Sequence, residues 1–401
     1  MSPPVLVRSL SLRNLRAYAS LDLRLEPGPQ LIWGPNATGK TTLLEAVTLL
    51  AQGRSHRTST DAELVRWGAD YMRVEGVVGE LAGKGEGSER RGESPEPDGT
   101  ESLTAATAEA TRLELTLQTG GRKRIVVNGV PRRPAALADH FRTVLFAPEE
   151  MLLVIGQPAL RRTALDALAG PHDRAYASNL ATYGRALAQR NSLLRQIRDE
   201  GGDRAQLRYW DEPFLAAGAA VVIARHHVLE MLAGPLAAAH AEIAPEEERV
   251  ALEYATNAPQ RAGESPREAL ARRLAETADK EVWNGTTLVG PHRDDLVFRL
   301  GGRDMSTFAS RGQQRTAILA LKLAELDLLS AVDGRPPVLL LDDVFSELDP
   351  LRRGHLVRRI AELPQALVTT TALGDLDPDL RRKARRWQVV AGEGGTRLEE
   401  G

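Results

Sequence analysis

Gly34-Pro35-Asn36-Ala37-Thr38-Gly39-Lys40-Thr41 follows the apolar run Leu31-Ile32-Trp33. It opens an apolar-periodic stretch through Leu43, Leu44, Ala46, Val47 and Leu50 that stops near Gly53. Strand, glycine-bearing loop and helix in that order predict a P-loop. The glycines let backbone N–H groups turn inward around phosphate oxygens, and the helix N-terminus adds positive potential. Gly34, Pro35, Asn36, Ala37, Thr38, Gly39, Lys40, Thr41 and Thr42 are therefore the candidate nucleotide cradle. In it Lys40 spans the β and γ phosphates and Thr41 offers a hydroxyl to Mg²⁺. The chain has six Lys among its 52 basic residues, so a lysine at this place carries more weight than in most proteins.

A second stretch completes the chemistry. Val338-Leu339-Leu340-Leu341-Asp342-Asp343 reads as a buried strand that delivers Asp342 to the carboxyl edge of a sheet, beside the P-loop. Such a carboxylate holds Mg²⁺ through its water shell, and Asp343, one residue on, faces the attacking water. Asp342 and Asp343 are the candidate catalytic pair, and Thr41 and Asp342 the candidate metal ligands. About 300 residues separate the two motifs, whereas ordinary P-loop enzymes place the second within one or two βαβ units. A head split by a large insertion is the arrangement of ABC-type ATPases, the SMC-like repair and chromosome proteins among them. Ser310-Arg311-Gly312-Gln313-Gln314 begins the helix before the Asp342 strand, so Ser310, Arg311, Gly312 and Gln313 present a hydroxyl and N–H groups to an anion. This resembles the ABC signature, with Arg311 where glycine is common. The plainer reading is an N-cap serine.

The rest of the chain fits one plan. Alternation through Val5, Leu10 and Leu12 and through Leu21, Leu23 and Leu25 predicts antiparallel strands, and Asn128-Gly129 after Lys123 to Val127 predicts a hairpin. Apolar steps of three, four or seven from Tyr176 to Ile197, and from Leu207 to Leu229 beyond Gly201-Gly202, predict two long antiparallel helices. The expected fold is α/β: an ABC/SMC-like P-loop ATPase head, a mixed sheet with flanking helices, built from residues 1–150 and 289–401. A helical arm is inserted at 151–288. Residues 82–110, rich in Gly, Glu, Ser, Pro and Ala without periodicity, predict a disordered loop within the head.

Several stretches together resemble one family, the bacterial DNA replication and repair proteins RecF. They are the P-loop with its Asn-Ala interior, Ser55-His56-Arg57-Thr58, Phe146-Ala147-Pro148-Glu149-Glu150 leading to Arg161-Arg162 and Asp166, Gly290-Pro291-His292-Arg293-Asp294-Asp295, the Ser310 stretch, Asp342 to Asp349, and Thr369-Thr370-Thr371. The resemblance implies an SMC-like head with a short arm that binds ATP and Mg²⁺ and forms an ATP-dependent homodimer, Ser310 docking on the γ-phosphate held by the other subunit. It implies binding to single-stranded, gapped or duplex DNA, and recombinase loading in gap repair and the SOS response with RecR, and with RecO in the pathway. ABC ATPases usually place a Glu after the Mg²⁺ Asp and a His on the next strand. Here Asp343 and the Thr369 to Thr371 run stand there, and a shorter base without an imidazole fits a weak, DNA-stimulated ATPase used as a switch.

Composition bounds these expectations. With 42% hydrophobic residues, 26% charged and no Cys, the chain reads as a soluble, multi-domain protein of the reducing cytoplasm, without disulfides or thiolate metal sites. No run of eighteen apolar residues and no export signal appears, so no membrane partner is expected. The net charge of −2 means that DNA binding must rest on local patches: Arg122-Lys123-Arg124, Arg132-Arg133, and Arg381, Arg382, Lys383, Arg385 and Arg386. With no helix-turn-helix or finger motif, those contacts go to the phosphate backbone. Arg57 reaches phosphates or DNA, or caps a loop. Glu149 serves a hinge or caps a loop, and His292 is nucleotide-adjacent or packs. His292-Arg293-Asp294 is not a kinase loop, because Arg299 occupies the neighbourhood of its metal-binding Asn. The competing readings are a transport ATPase subunit and a structural SMC-like protein without mediator function.

Overall fold

The structure, a computed structural model, describes residues 2–81, 110–170, 173, 175–392 and 395–401. Apart from Ala110, the loop expected at 82–110 lies outside the described residues. Contacts divide the chain into two units, Met1–Glu149 with Leu329–Gly401, and Glu150–Leu328.

The first unit begins with β1 (Val5–Leu15) and β2 (Tyr18–Arg24), antiparallel as the alternation requires, Leu10 opposite Leu23 and Leu12 opposite Leu21. After β3 (Gly28–Trp33) and α1 (Lys40–Gln52) come β4 (Tyr71–Glu80), β5 (Thr111–Gln118), β6 (Arg124–Val127) and β7 (Val130–Pro131). They complete an antiparallel sheet ordered β2-β1-β4-β5-β6-β7. Asn128 and Gly129 turn β6 into β7 with positive φ at both residues, 48° and 80°, as a tight hairpin demands. β8 (Thr143–Phe146) follows.

The second unit holds α2 (Leu152–Ile155), α3 (Pro158–Ala169), α4 (Tyr176–Glu200), α5 (Arg208–Ile243), β9 (Val250–Ala255), α6 (Pro266–Asn284), β10 (Asp295–Leu300), β11 (Arg303–Asp304), α7 (Met305–Phe308) and most of α8 (Arg311–Asp333). The two long helices expected from the periodicity are α4 and α5, packed together. By length and apolar composition α5 could cross a bilayer. It is instead the centre of this unit: it packs on α3, α4, α6 and β9, and its buried Arg225 is ion-paired with Asp166 at 2.7 Å. β10 pairs with β9, Phe298 opposite Leu252, so residues 289–328 pack with the insertion. The boundary between the compact units therefore follows Leu328.

The chain returns to the first unit with β12 (Val338–Asp342), α9 (Pro350–Glu362), β13 (Gln365–Thr370), α10 (Pro378–Lys383), β14 (Arg385–Gly392) and β15 (Gly395–Glu400). These build a second sheet ordered β15-β14-β3-β13-β12-β8, parallel throughout except for the β14–β15 hairpin. Its central strands are buried on both faces, which is why Val338 to Leu341 and Ala366 to Val368 are unbroken apolar runs. α1 packs on β4 and β5 of one sheet and on β8, β12 and β13 of the other. Eleven of its thirteen residues are buried, Lys40, Thr42, Glu45 and Thr48 among them, so it is covered nearly all round. Parallel pairing of β3, β13 and β12 brings their carboxyl ends to one edge, at the first turn of α1.

Leu340, fully buried on β12, tests this packing. Leu340→Ala should cost about 2–5 kcal/mol in denaturant unfolding. A loss below about 1 kcal/mol would contradict a strand covered on both faces.

Candidate functional site

The P-loop turns tightly against its neighbours. Gly34 has φ of 153°, and a Cβ there would lie 2.6 Å from the carbonyl oxygen of Val389 on β14. Gly39 caps α1 in the left-handed region, and the N–H of Thr42 donates to its carbonyl at 3.1 Å. Thr38 donates to the Pro35 carbonyl at 2.8 Å, and Thr396 of β15 donates to the Thr38 carbonyl at 2.9 Å. The Lys40 ammonium is buried and donates to the carbonyls of Gly34 and Pro35 at 2.7 and 2.8 Å. Burial pushes it below its ordinary value, against the pull of Asp343 and Asp342.

Asp342, at the end of β12, is buried, and each of its oxygens receives a hydroxyl. Thr41 donates to Oδ2 at 2.8 Å and Thr369 of β13 to Oδ1 at 2.5 Å. Asp343 leaves the strand at φ of 49°, its N–H donating to Thr369 Oγ1 at 3.0 Å. The sequence-predicted residues of the first unit therefore meet at one sheet edge, joined by Thr369.

Arg57 takes another course. Glu45, one turn along α1 from Thr41, is wholly buried and receives both Arg16 nitrogens at 2.8 Å and the Ser55 hydroxyl at 2.5 Å. The Arg57 guanidinium lies 3.6 Å from the same carboxylate. Burial pushes Glu45 up, but the bonds from Arg16 and Ser55 and the two guanidinium charges outweigh it and hold its carboxyl below the ordinary range.

In the second unit Ser310 Oγ accepts from the Gln313 N–H at 3.2 Å, while the Gln313 side chain accepts from the Ser310 N–H at 2.9 Å. This reciprocal capping realises the N-cap reading and leaves the serine O–H free to donate outward. Arg311 and Gly312 are exposed beside it. His292 is engaged at both nitrogens: Tyr183 donates to Nδ1 at 2.5 Å, and Nε2 donates to the Thr287 carbonyl at 3.2 Å. Burial lowers it to about 4, so it is neutral at pH 7. Asp294 and Asp295 are engaged likewise, by Tyr254 at 2.7 Å and by a two-pronged Arg161 at 2.7 Å.

The donors suit a nucleotide-bound Mg²⁺. Among the described residues no group of three or more His, Cys, Asp or Glu could hold a metal ion alone. A hydroxyl and a carboxylate 2.8 Å apart at a helix N-terminus are oxygen donors of the kind that could hold a cation whose shell is completed by phosphate and water.

The family model described as the RecF/RecN/SMC N terminal domain matches residues 6–377. RecF of Moorella thermoacetica is 38% identical over 390 residues, 97% of this chain and 96% of its own. RecF of Chloroflexus aurantiacus is 39% identical over 406, covering 96% and 98%. The chain belongs to the RecF family. The solved structure of the recombination mediator protein RecF with ATP matches with a TM-score of 0.84 at 31% identity, over 100% of this chain and 99% of that one. An SMC head from Pyrococcus furiosus, at 15% identity and TM-score 0.53 over 99% and 96%, shares the fold. The ABC/SMC-like α/β fold stands, and RecF membership sets the transport-subunit reading aside.

What the motifs did not show is how the first unit supports its loop from the last strands, through Val389 and Thr396. The C-terminal basic cluster is also partly spent on structure, since Arg382 pairs with Asp379, and Arg385 with Glu26 and Glu400. Arg122, Arg124, Arg132 and Arg133, around the β6–β7 edge, are exposed.

Glu45 gives this corner a pH signature. Its stabilisation is present above its ordinary value of 4.5 and is lost as pH falls through the lower folded value. Glu45→Gln should cost about 3 kcal/mol in urea at pH 7, with the gap to the parent closing below pH 4.5. A gap that stays constant down to pH 3 would show that the pair contributes nothing.

Proposed function

We propose that this chain is an ATP-gated DNA clamp of recombinational repair, in which ATP binding rather than turnover is the working signal. The observation that carries the reading is the Thr41–Asp342 hydrogen bond at 2.8 Å, which joins the P-loop helix to the carboxylate strand across 301 residues of sequence. Lys40 and the N–H groups at the start of α1 receive the phosphates, and Thr41 with Asp342 would hold Mg²⁺. When bound, Mg²⁺ draws charge from the β and γ phosphates and fixes their orientation. Asp343, set off the strand by its positive φ, holds the attacking water and accepts its proton. The short reach of an aspartate, with no imidazole on β13, suits slow hydrolysis and a long-lived ATP state.

Ser310, Arg311, Gly312 and Gln313 meet the γ-phosphate bound by a second copy, so the homodimer forms with ATP and releases after hydrolysis. In functional terms the head then comprises residues 1–150 and 289–401, with 151–288 as the arm. Arg122, Arg124, Arg132 and Arg133 contact DNA phosphates, without sequence preference and with a strong dependence on salt. The similar solved structure described as a mediator of the RecFOR pathway supports RecR as partner, with RecO in the same pathway, in the cytoplasm. DNA stimulation of the ATPase and a part in the SOS response belong to the same reading.

Lys40→Ala should abolish ATP binding while leaving the melting temperature within a few degrees of the parent. Unchanged affinity in a nucleotide titration would refute the site. Ser310→Arg should bind ATP nearly normally yet stay monomeric in sedimentation with ATP. An ATP-dependent dimer of this variant would show that the Ser310 turn does not meet the partner.

A further inference from the structure

Thr369 bonds the Asp342 carboxylate, so the strand after β12 carries a hydroxyl where an ABC ATPase carries an imidazole. An imidazole nevertheless stands in this corner of the first unit. His56 lies in the turn that follows α1, and the turn is pinned on both sides of it. Ser55 Oγ donates to Glu45 at 2.5 Å and accepts from the N–H of Arg57 at 2.9 Å and of Thr58 at 3.3 Å. The Arg57 guanidinium is drawn to the other oxygen of Glu45. Glu45 and Thr41 share one face of α1, a turn apart, so the pinned turn stands beside the Thr41–Asp342 pair.

Both ring nitrogens of His56 are shielded from solvent and have no hydrogen-bond partner among the described residues. Burial holds the ring below its ordinary value, against the pull of Glu45, Glu149 and Asp342. It is thus a neutral imidazole with one donor and one acceptor. Buried polar atoms are almost always paired, and two orphans on one ring point to a ligand that the chain does not itself supply.

We propose that His56 contacts the bound nucleotide, donating its N–H to the terminal phosphate and so supplying, from the turn after α1, the imidazole that β13 lacks. The inference rests on the nucleotide reading of Lys40, Thr41 and Asp342. It gives the turn a division of labour: Ser55 and Arg57 anchor it on Glu45, and His56 reads whether a third phosphate is present.

The experiment compares His56→Leu and His56→Asn with the parent. It uses titrations of fluorescent ATP and ADP analogues, single-turnover hydrolysis and thermal melting without nucleotide. His56→Leu should weaken ATP by about tenfold or more, the scale of a lost hydrogen bond to a charged group, and leave ADP affinity unchanged. Its nucleotide-free melting temperature should not fall, because the ring has no internal bond to lose. His56→Asn, which keeps a donor, should recover part of the ATP preference. The proposal is overturned if His56→Leu keeps the parental ATP-to-ADP ratio, or if it loses ADP as badly as ATP, which would make the ring a mere prop for the turn. Failure of the underlying reading would look different, since Lys40→Ala would then also bind ATP normally.

Discussion

A buried carboxylate needs partners for its oxygens, and for Asp342 the choice falls on two hydroxyls. Everything in the first unit converges on that choice. Thr41 arrives on α1, which is buried between two sheets, and Thr369 arrives on β13, paired in parallel register with Asp342 itself. Hydroxyls satisfy the lone pairs while leaving the negative charge for something else to neutralise. A turn along the same helix, Glu45 shows the opposite solution, its charge matched by Arg16 in a two-pronged pair. One helix therefore carries a closed ionic pair that fixes structure, one turn from the threonine that bonds Asp342.

The second unit spends its polar groups on rigidity. Arg225, buried in α5, joins Asp166 of α3 to the Pro291 carbonyl, and Tyr254 and Thr256 hold Asp294 just before β10. With Arg161 on Asp295, this ties the Gly290 to Asp295 stretch to α3, α5 and β9. β10 and α7 then lead directly to Ser310. What looks in sequence like a cluster of catalytic types is a buried lattice that aims the N-terminus of α8.

The legibility of these features follows from the range of the forces behind them. The P-loop reads from sequence because its pattern is local: Gly34 and Gly39 take positive φ, 153° and 107°, and Lys40 and Thr41 follow in the register that suits phosphates. The strand to Asp342 and the helices α4 and α5 read because burial imposes a period. Glu45 does not read, because a lone carboxylate among apolar residues gives no sign that Arg16, 29 residues earlier, will close on it. His56 does not read either, because the charge of its neighbour Arg57, whose guanidinium lies 3.6 Å from Glu45, is the stronger signal in sequence. β8 is four residues long, too short for a period. The tail reads as a basic patch because the acidic partner of Arg385 at Glu26 lies at the other end of the chain.

The hydrogen bond from Thr396 to the Thr38 carbonyl spans 358 residues. It also sets an order of events at the ribosome. At about 5–20 residues per second, the P-loop waits roughly 20–70 s for β15 to be made. For most of that interval β3 lacks both of the strands that flank it, since β13 and β14 are synthesised late. The nascent head therefore carries an unpaired apolar strand edge for most of its synthesis, while the second unit, contiguous in sequence, can fold ahead of it. Completion of the first unit therefore waits on the return of the last strands to the first.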